Sequence, residues 1–197
     1  MSGEVLRDDT PATIIRVSAI TVLPRPVPII LAILLGYFRT NRLIMFGNAP
    51  RIVALIGVSN DPKKLTARPL QFCTQHKFTG KLYLVNPRRD QVLGHTAYSS
   101  VSAIPEQVDH AYIMLGTDMV EAALDDCIAA GVPVVSVLAD GFAEAGEMGR
   151  DRQARLVAKA NAAGVMLIGP NSMGVANTEN GFICTTNAAF RAEQLPR

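Results

Sequence analysis

Five short runs of β-forming residues, separated by longer segments with helical periodicity, constrain the fold of this chain more than any other feature. The runs are "RIVALIGV" (51–58), "KLYLV" (81–85), "HAYIML" (110–115), "VPVVSVL" (132–138) and "VMLIG" (165–169). Several are apolar at successive positions, as strands must be when both faces of their sheet are covered. The intervening segments predict helices over about 65–76, 118–130 and 145–163. This alternation predicts an α/β fold with a doubly wound parallel sheet and right-handed crossovers.

Local signals support the middle helix in particular. Asp118 and Glu121 have the spacing of a capping box, Val120 and Leu124 lie on one apolar face, and Gly131 is a suitable stop. The link over residues 86–109 is expected to be irregular, with at most one helical turn near 100–104.

The sequence divides into three parts. The first is an apolar extension of uncertain order, residues 1–41. The α/β domain is predicted over residues 42–180, and residues 181–197 are predicted to be a tail or the start of a further domain. The clean apolar run from Val27 to Phe38 is shorter than the roughly 20 residues of a spanning helix, which disfavours a membrane role. The net charge of +2 comes from residues 1–49, so the rest is neutral and offers no basic stripe for nucleic acid.

The cysteines and histidines do not form a recognisable site. Cys73, Cys127 and Cys184 are odd in number and widely spaced, in neither a metal-binding nor a disulfide pattern. This usage predicts a reducing, cytoplasmic setting and no metal. The three histidines are equally scattered, so no catalytic role is assigned to His76, His95 or His110.

Ligands of a doubly wound sheet bind outside the carboxyl ends of its strands, so those positions predict the site. After the first strand, Gly57 permits close backbone approach, and Ser59 and Asn60 supply polar groups before the next helix. Such a turn suits a phosphate at the start of a helix. No GxGxxG is present, which argues against the usual dinucleotide arrangement.

The second strand end is more discriminating. NAD-binding folds place an acidic residue here for the ribose diol, whereas this chain has "VNPRRD". Paired guanidinium groups from Arg88 and Arg89 suit a phosphate on the adenosine ribose, carried by NADP on the 2′ oxygen and by coenzyme A on the 3′ oxygen. Asp90 could instead pair with one arginine and make this an ordinary solvated loop.

Two further strand ends carry polar turns. "ADGFAEAGE" places Gly141 at a turn, with Glu144 and Glu147 near a helix start. "IGPNSMG" puts an amide and a hydroxyl, Asn171 and Ser172, at the tip of the last turn, where they could meet the reactive end of a ligand.

Taken together, "RIVALIGVSND", "GKLYLVNPRRDQVLGHTAY", "DGFAEAGEMG" and "GPNSMGVANT" resemble the CoA-binding domain of NDP-forming acyl-CoA synthetases. The chain is similar also to the succinyl-CoA synthetase alpha subunit, and the motifs occur in order over about residues 42–180. The resemblance implies a Rossmann-like domain that binds CoA or an acyl-CoA. The site residues it implies are Gly57, Ser59, Asn60, Asp61 and Pro62 around the phosphates; Asn86, Pro87 and Arg89 around the adenosine portion, beside Arg88, which the residues themselves indicate; Ala139, Asp140 and Gly141 beside the pantetheine; and Asn171 and Ser172 towards the thiol.

The chain also departs from this family's pattern. Leu115 and Gly116 stand where the family usually has Val-Pro, and Ser172 stands where it often has Cys. The phosphohistidine and ATP-grasp regions of such ligases are not in this sequence, so we expect another domain or subunit to supply them. On its own, the chain is expected to hold CoA without making the thioester.

The residues leave two alternative functions open. An NADP-dependent oxidoreductase would use the same two arginines, although it would need a substrate domain that is not apparent here. A stand-alone CoA- or nucleotide-sensing module would need a partner surface, for which the apolar stretch of residues 17–38 is the one candidate.

Overall fold

The computed structural model describes residues 21–22 and 50–192; apart from Thr21 and Val22, the predicted extension lies outside these residues. A seven-stranded sheet forms the centre of the described part, in the order β4-β5-β3-β2-β6-β7-β8, with β4 antiparallel and the others parallel. Its strands are β2 (Ile52–Ile56), β3 (Lys81–Val85), β4 (Gln91–Val92), β5 (His95–Tyr98), β6 (His110–Ile113), β7 (Val134–Val137) and β8 (Met166–Ile168). The predicted doubly wound parallel sheet and all five predicted strands are confirmed.

Within residues 50–192, three α-helices connect the strands as predicted: α1 (Arg68–Gln75), preceded by a 3₁₀ turn at Leu65–Ala67, α2 (Thr117–Ala129) and α3 (Glu147–Ala162). The predicted capping box on α2 is wrong, because the helix begins earlier, with Gly116 as its N-cap and no side-chain cap. Glu121 instead contacts Lys159 of α3, with Oε1 and Nζ 2.9 Å apart.

The sheet separates two apolar layers. Alternate residues of β2 point to opposite faces: Ala54 and Ile56 pack in the cluster that includes α2 and α3, whereas Val53 and Leu55 pack in the cluster that includes α1. All four are buried, and each large side chain of this kind contributes about 1.5–3 kcal/mol to folding. The unbroken apolar run of β2 is therefore explained by helices on both faces.

A second, smaller sheet covers the α1 face. It contains β9 (Gly174–Asn177) and β10 (Phe182–Thr185), which form an antiparallel hairpin, and β1 (Thr21–Val22), which pairs in parallel with β9. Phe182 and Cys184 pack in the same cluster as α1. Buried Phe190 packs with Phe72 of α1, so the packed body continues past the predicted boundary at residue 180.

The prediction that residues 86–109 form an irregular link is wrong in part. Residues of this link form β4 and β5, and β5 extends the parallel sheet beside β3. The predicted helical turn exists as a 3₁₀ turn at Val101–Ala103. β5 reads "HTAY" and has no fully buried residue, so it lacks the apolar run that identified the other strands.

Strand order and register define the edge of the sheet at which folds of this class bind ligands. The chain leaves β2 for β3 on one side and later returns to β6 on the other, which is the topological switch where open α/β sheets bind ligands. Val85, Ile56, Ile113 and Val137 are register partners across β3, β2, β6 and β7, so these strands end in one row. Within the described residues, no helix is long and apolar enough to cross a membrane.

Candidate functional site

The turn after β2 lies against the end of β6. Gly57 has a φ of +89°, and a Cβ built on it would lie only 2.4 Å from the carbonyl oxygen of Met114. Glycine is required here both by the positive φ and by the approach of the neighbouring backbone. The close approach places the following loop directly at the switch point.

The rest of this loop is shaped by its own side chains. Ser59 Oγ accepts a hydrogen bond from Asp61 N at 3.0 Å, and Asp61 Oδ1 accepts one from Lys63 N at 2.9 Å. Asn60 Oδ1 accepts from Leu93 N at 2.8 Å, which ties the loop to the turn between β4 and β5. Pro62 is exposed, and its carbonyl accepts from the side chain of Gln71 at 3.0 Å. The polar side chains predicted to surround phosphates thus also hold the loop in shape.

The turn after β3 presents two free cationic side chains. Asn86 anchors it, with its N–H donating to Tyr98 O at 2.8 Å and its Oδ1 accepting from Arg88 N at 3.0 Å. Arg88 and Arg89 are exposed, and across the described ranges neither forms an ion pair. Asp90 therefore does not neutralise either arginine.

The ends of β6 and β7 are joined through side chains. Thr117 Oγ1 donates to the carbonyl oxygen of Asp140 at 2.6 Å, and Arg152 Nη1 donates to that of Gly141 at 2.8 Å. Ala139 is buried, Asp140 is exposed, and Gly141 has a φ of +78°. Two of these three residues, predicted as a group, are therefore bonded to α2 and α3.

The turn after β8 separates the two residues predicted together at its tip. Asn171 is exposed, whereas Ser172 is only 1% exposed. The Oγ of Ser172 accepts from Gly174 N at 3.2 Å, and its carbonyl accepts from the hydroxyl of Tyr112 at 3.2 Å. Ser172 thus lies beneath the surface and shapes the turn, while Asn171 faces outward.

Sequence reasoning missed three polar residues at this edge. Arg68, the first residue of α1, donates from Nη1 to the carbonyl of Thr186 at 2.7 Å and so joins the helix to the end of the hairpin. Thr117 and Arg152 were also missed. An arginine at the start of the helix after the phosphate loop was a signal for the first, but no local pattern indicates which carbonyl each side chain reaches.

Several strongly perturbed titratable groups lie in the interior. Burial lowers the pKa of His110 to about 4, and its Nε2 lies 2.8 Å from Ser136 Oγ within the sheet. Burial also raises the pKa of both Cys73 and Cys127 to about 12. Among residues 50–192, no three His, Cys, Asp or Glu side chains cluster in a way that could hold a metal ion. The edge itself offers cations, backbone donors and short polar side chains, which suit an extended anionic ligand.

Comparison with known protein families and sequences gives consistent matches. The profile described as CoA binding domain matches residues 51–178. The alpha subunit of ADP-forming acetate–CoA ligase II from Pyrococcus furiosus is 41% identical over 141 residues, covering 72% of this chain and 30% of that subunit. The ADP-forming acetate–CoA ligase II of Archaeoglobus fulgidus is 37% identical over 134 residues, covering 68% of this chain and 20% of the ligase. The chain therefore spans less than a third of the length of these relatives.

Solved structures agree with the sequence matches. The dinucleotide forming acetyl-coenzyme A synthetase 1 of Ca. Korarchaeum cryptofilum, in complex with phosphate and ADP, superposes with a TM-score of 0.70 and 31% identity. It covers 79% of this chain and 32% of the synthetase. PH0766 from Pyrococcus horikoshii has a TM-score of 0.66 and 38% identity, over 70% of this chain and 31% of that one.

Proposed function

The chain belongs to the CoA binding domain family, and on that premise we propose that it binds coenzyme A or an acyl-CoA as the CoA-holding module of an ADP-forming acyl-CoA ligase. The observation that carries the proposal is the pair of exposed arginines, Arg88 and Arg89, without ion-pair partners in the described residues, beside the phosphate loop. Guanidinium groups are well suited to a ribose phosphate, and CoA has one on its 3′ oxygen.

The order of strands at the sheet edge gives the ligand a direction. β3 carries the arginines, β2 the phosphate loop, β7 the turn at Gly141, and β8 the turn at Asn171, in that spatial order. Four inter-strand steps of about 4.8 Å separate the first from the last, a span of about 19 Å. We infer that CoA lies extended across this edge, with adenosine over β3, the diphosphate over β2, and the pantetheine arm running towards β8.

In this placement each predicted residue has a distinct role. Backbone N–H groups between Gly57 and the start of α1 would bind the diphosphate, with Ser59, Asn60, Asp61 and Pro62 maintaining the loop. Asn86 and Pro87 would position the two arginines. Ala139, Asp140 and Gly141 would border the pantetheine, Asn171 would lie at the thiol end, and Ser172 would act through the shape of its turn.

The module's contribution to catalysis would be positional. Holding the CoA thiol against an acyl phosphate lets the sulfur attack the carbonyl within one complex, and such orientation can supply several kcal/mol of the barrier. We propose that phosphoryl transfer and nucleotide binding belong to a phosphohistidine-bearing and ATP-grasp domain or subunit supplied elsewhere. A cytoplasmic setting is part of the proposal and fits the three free, buried cysteines of the described chain.

Calorimetric titration of the full chain with CoA, 3′-dephospho-CoA and NADPH tests this function. We expect CoA to bind about 10- to 100-fold more tightly than 3′-dephospho-CoA, because charged hydrogen bonds to the 3′ phosphate are lost in the latter. The double substitution Arg88→Gln, Arg89→Gln should remove that difference. Arg51→Gln is the matched control, since Arg51 is also exposed but precedes β2 at the opposite edge of the sheet.

The outcomes separate the alternatives. Binding of NADPH in preference to CoA would favour the oxidoreductase reading and refute the proposal. Tight binding of CoA that is indifferent to the 3′ phosphate would refute the role of the arginines. No binding of CoA would refute the proposed function itself.

A further inference from the structure

Two side chains from neighbouring helices orient consecutive peptide groups of one turn, Asp140–Gly141 and Gly141–Phe142. Thr117, the first residue of α2, donates to the carbonyl oxygen of Asp140 at 2.6 Å. Arg152 of α3 donates to the carbonyl oxygen of Gly141 at 2.8 Å and lies 3.7 Å from the Asp118 carboxylate, which helps to orient the guanidinium group. Both carbonyls of this turn are therefore directed back into the protein.

This orientation leaves one backbone donor unused. In a planar trans peptide the N–H points opposite to the C=O, so the Gly141 N–H points away from Thr117. No acceptor for it exists in the described part of the chain, whereas the next N–H, of Phe142, donates to Glu144 Oε1 at 3.1 Å. Gly141 is only half-buried, so water can bond to this N–H in the unliganded chain, and a ligand that displaces the water has to offer an acceptor in its place. The donor is therefore available to a ligand at this edge.

Glycine at this position is part of the same arrangement. A Cβ on residue 141 would lie 3.2 Å from Thr117 Oγ1, and the φ of +78° disfavours any other residue. The approach of Thr117 to the turn thus depends on the missing side chain.

We propose that Thr117 and Arg152 are positioning residues that aim the Gly141 N–H at an amide carbonyl of the pantetheine arm of CoA. The inference rests on the proposed function and deepens it. The pantetheine arm contains two amide groups whose carbonyls lose water on binding and need donors in its place. The nucleotide half of CoA has no such groups, so this contact would distinguish CoA from simple adenosine phosphates.

Binding of CoA and of adenosine 3′,5′-bisphosphate to the full chain tests the inference. Thr117→Val keeps the shape of the side chain but removes its donor, and we expect the CoA dissociation constant to rise about tenfold. The dissociation constant of the bisphosphate should not change, because that ligand lacks the pantetheine arm. Thr117→Ser should restore CoA binding, and Arg152→Gln should reproduce the selective loss.

Arg155→Gln is the matched control, since Arg155 is an exposed arginine one turn further along α3. In a 15N-labelled sample, the Gly141 amide resonance should shift when CoA is added and not when the bisphosphate is added. Equal weakening of both ligands in Thr117→Val, or no weakening of either, would overturn the inference while leaving CoA binding intact. Failure of the wild-type chain to bind CoA would overturn the proposed function and this inference with it.

Discussion

Replacing Gly57 by alanine tests how far the stability of the fold depends on the close approach between the ends of β2 and β6. The new Cβ would lie 2.4 Å from Met114 O and 2.7 Å from Leu115 Cδ2, well inside contact distance. Met114 has little freedom to retreat, because its N–H donates to Ile56 O at 2.8 Å. The substitution therefore forces either the turn or the strand pairing to give way.

The magnitude follows from three contributions. A left-handed backbone conformation costs a residue with a Cβ about 1–2 kcal/mol. Overpacking against a well-packed neighbour costs about 1–3 kcal/mol. Loss of the hydrogen bond between Met114 and Ile56 costs about 1 kcal/mol. We expect the free energy of unfolding to fall by about 3–6 kcal/mol, a large part of the stability of a domain of this size.

Urea denaturation followed by circular dichroism provides the measurement, and Gly94→Ala provides the control. Gly94 has a similar φ of +80°, but a Cβ there would meet nothing within 4 Å. Its substitution should lower the free energy of unfolding only by the backbone contribution of about 1–2 kcal/mol. Equal losses for the two variants would show that the close approach has no energetic consequence, and the reasoning would be refuted.

Three further predictions concern other parts of the molecule. Since burial lowers the pKa of His110 from 6.5 to about 4, the unfolded chain binds a proton between these values that the folded chain does not. Stability should therefore fall by about 3 kcal/mol as the pH drops through that window, and replacing both partners, His110→Leu with Ser136→Ala, should remove this part of the dependence in denaturation curves. Asn60→Ala removes the bond to Leu93 and should weaken CoA binding several-fold in calorimetry, while an unchanged affinity would show that the loop keeps its shape without it. The three cysteine thiols are buried, so Ellman's reagent should react with them only as fast as the chain opens; rapid labelling of the native protein would contradict the packing.

Where apolar runs were continuous, prediction from sequence succeeded. The run 52–56 predicts a strand covered on both faces, and the structure places helices on both sides of it. The prediction failed for β5 and for the hairpin of β9 and β10. β5 reads "HTAY" and β9 reads "GVAN", and neither contains an apolar run, whereas the short run of β10, "FICT", lies in the segment predicted as a tail or as the start of a further domain.

For the candidate site, too, local features of the sequence could be recognised and contacts between distant residues could not. The glycine at Gly57 and the adjacent arginines after β3 are local features of the sequence, and the structure places both directly after neighbouring strands, while their roles in binding stay predictions. The prediction that Asn171 and Ser172 act side by side remains untested, and the structure gives them different environments: Asn171 is exposed, whereas Ser172 is buried and its carbonyl accepts from the hydroxyl of Tyr112.

The sequence by itself determined the class of fold and placed two arginines directly after a strand, at the edge where we propose that a ligand binds. These properties follow from periodicity and from residue types near the ends of strands, which short-range physics controls. The tertiary structure alone decided that Arg68 reaches Thr186, 118 residues away, and that Thr117 and Arg152 orient the turn at Gly141. Such contacts depend on which elements pack together and in what register, because a side chain can only bond to a carbonyl that folding has brought within about 3 Å.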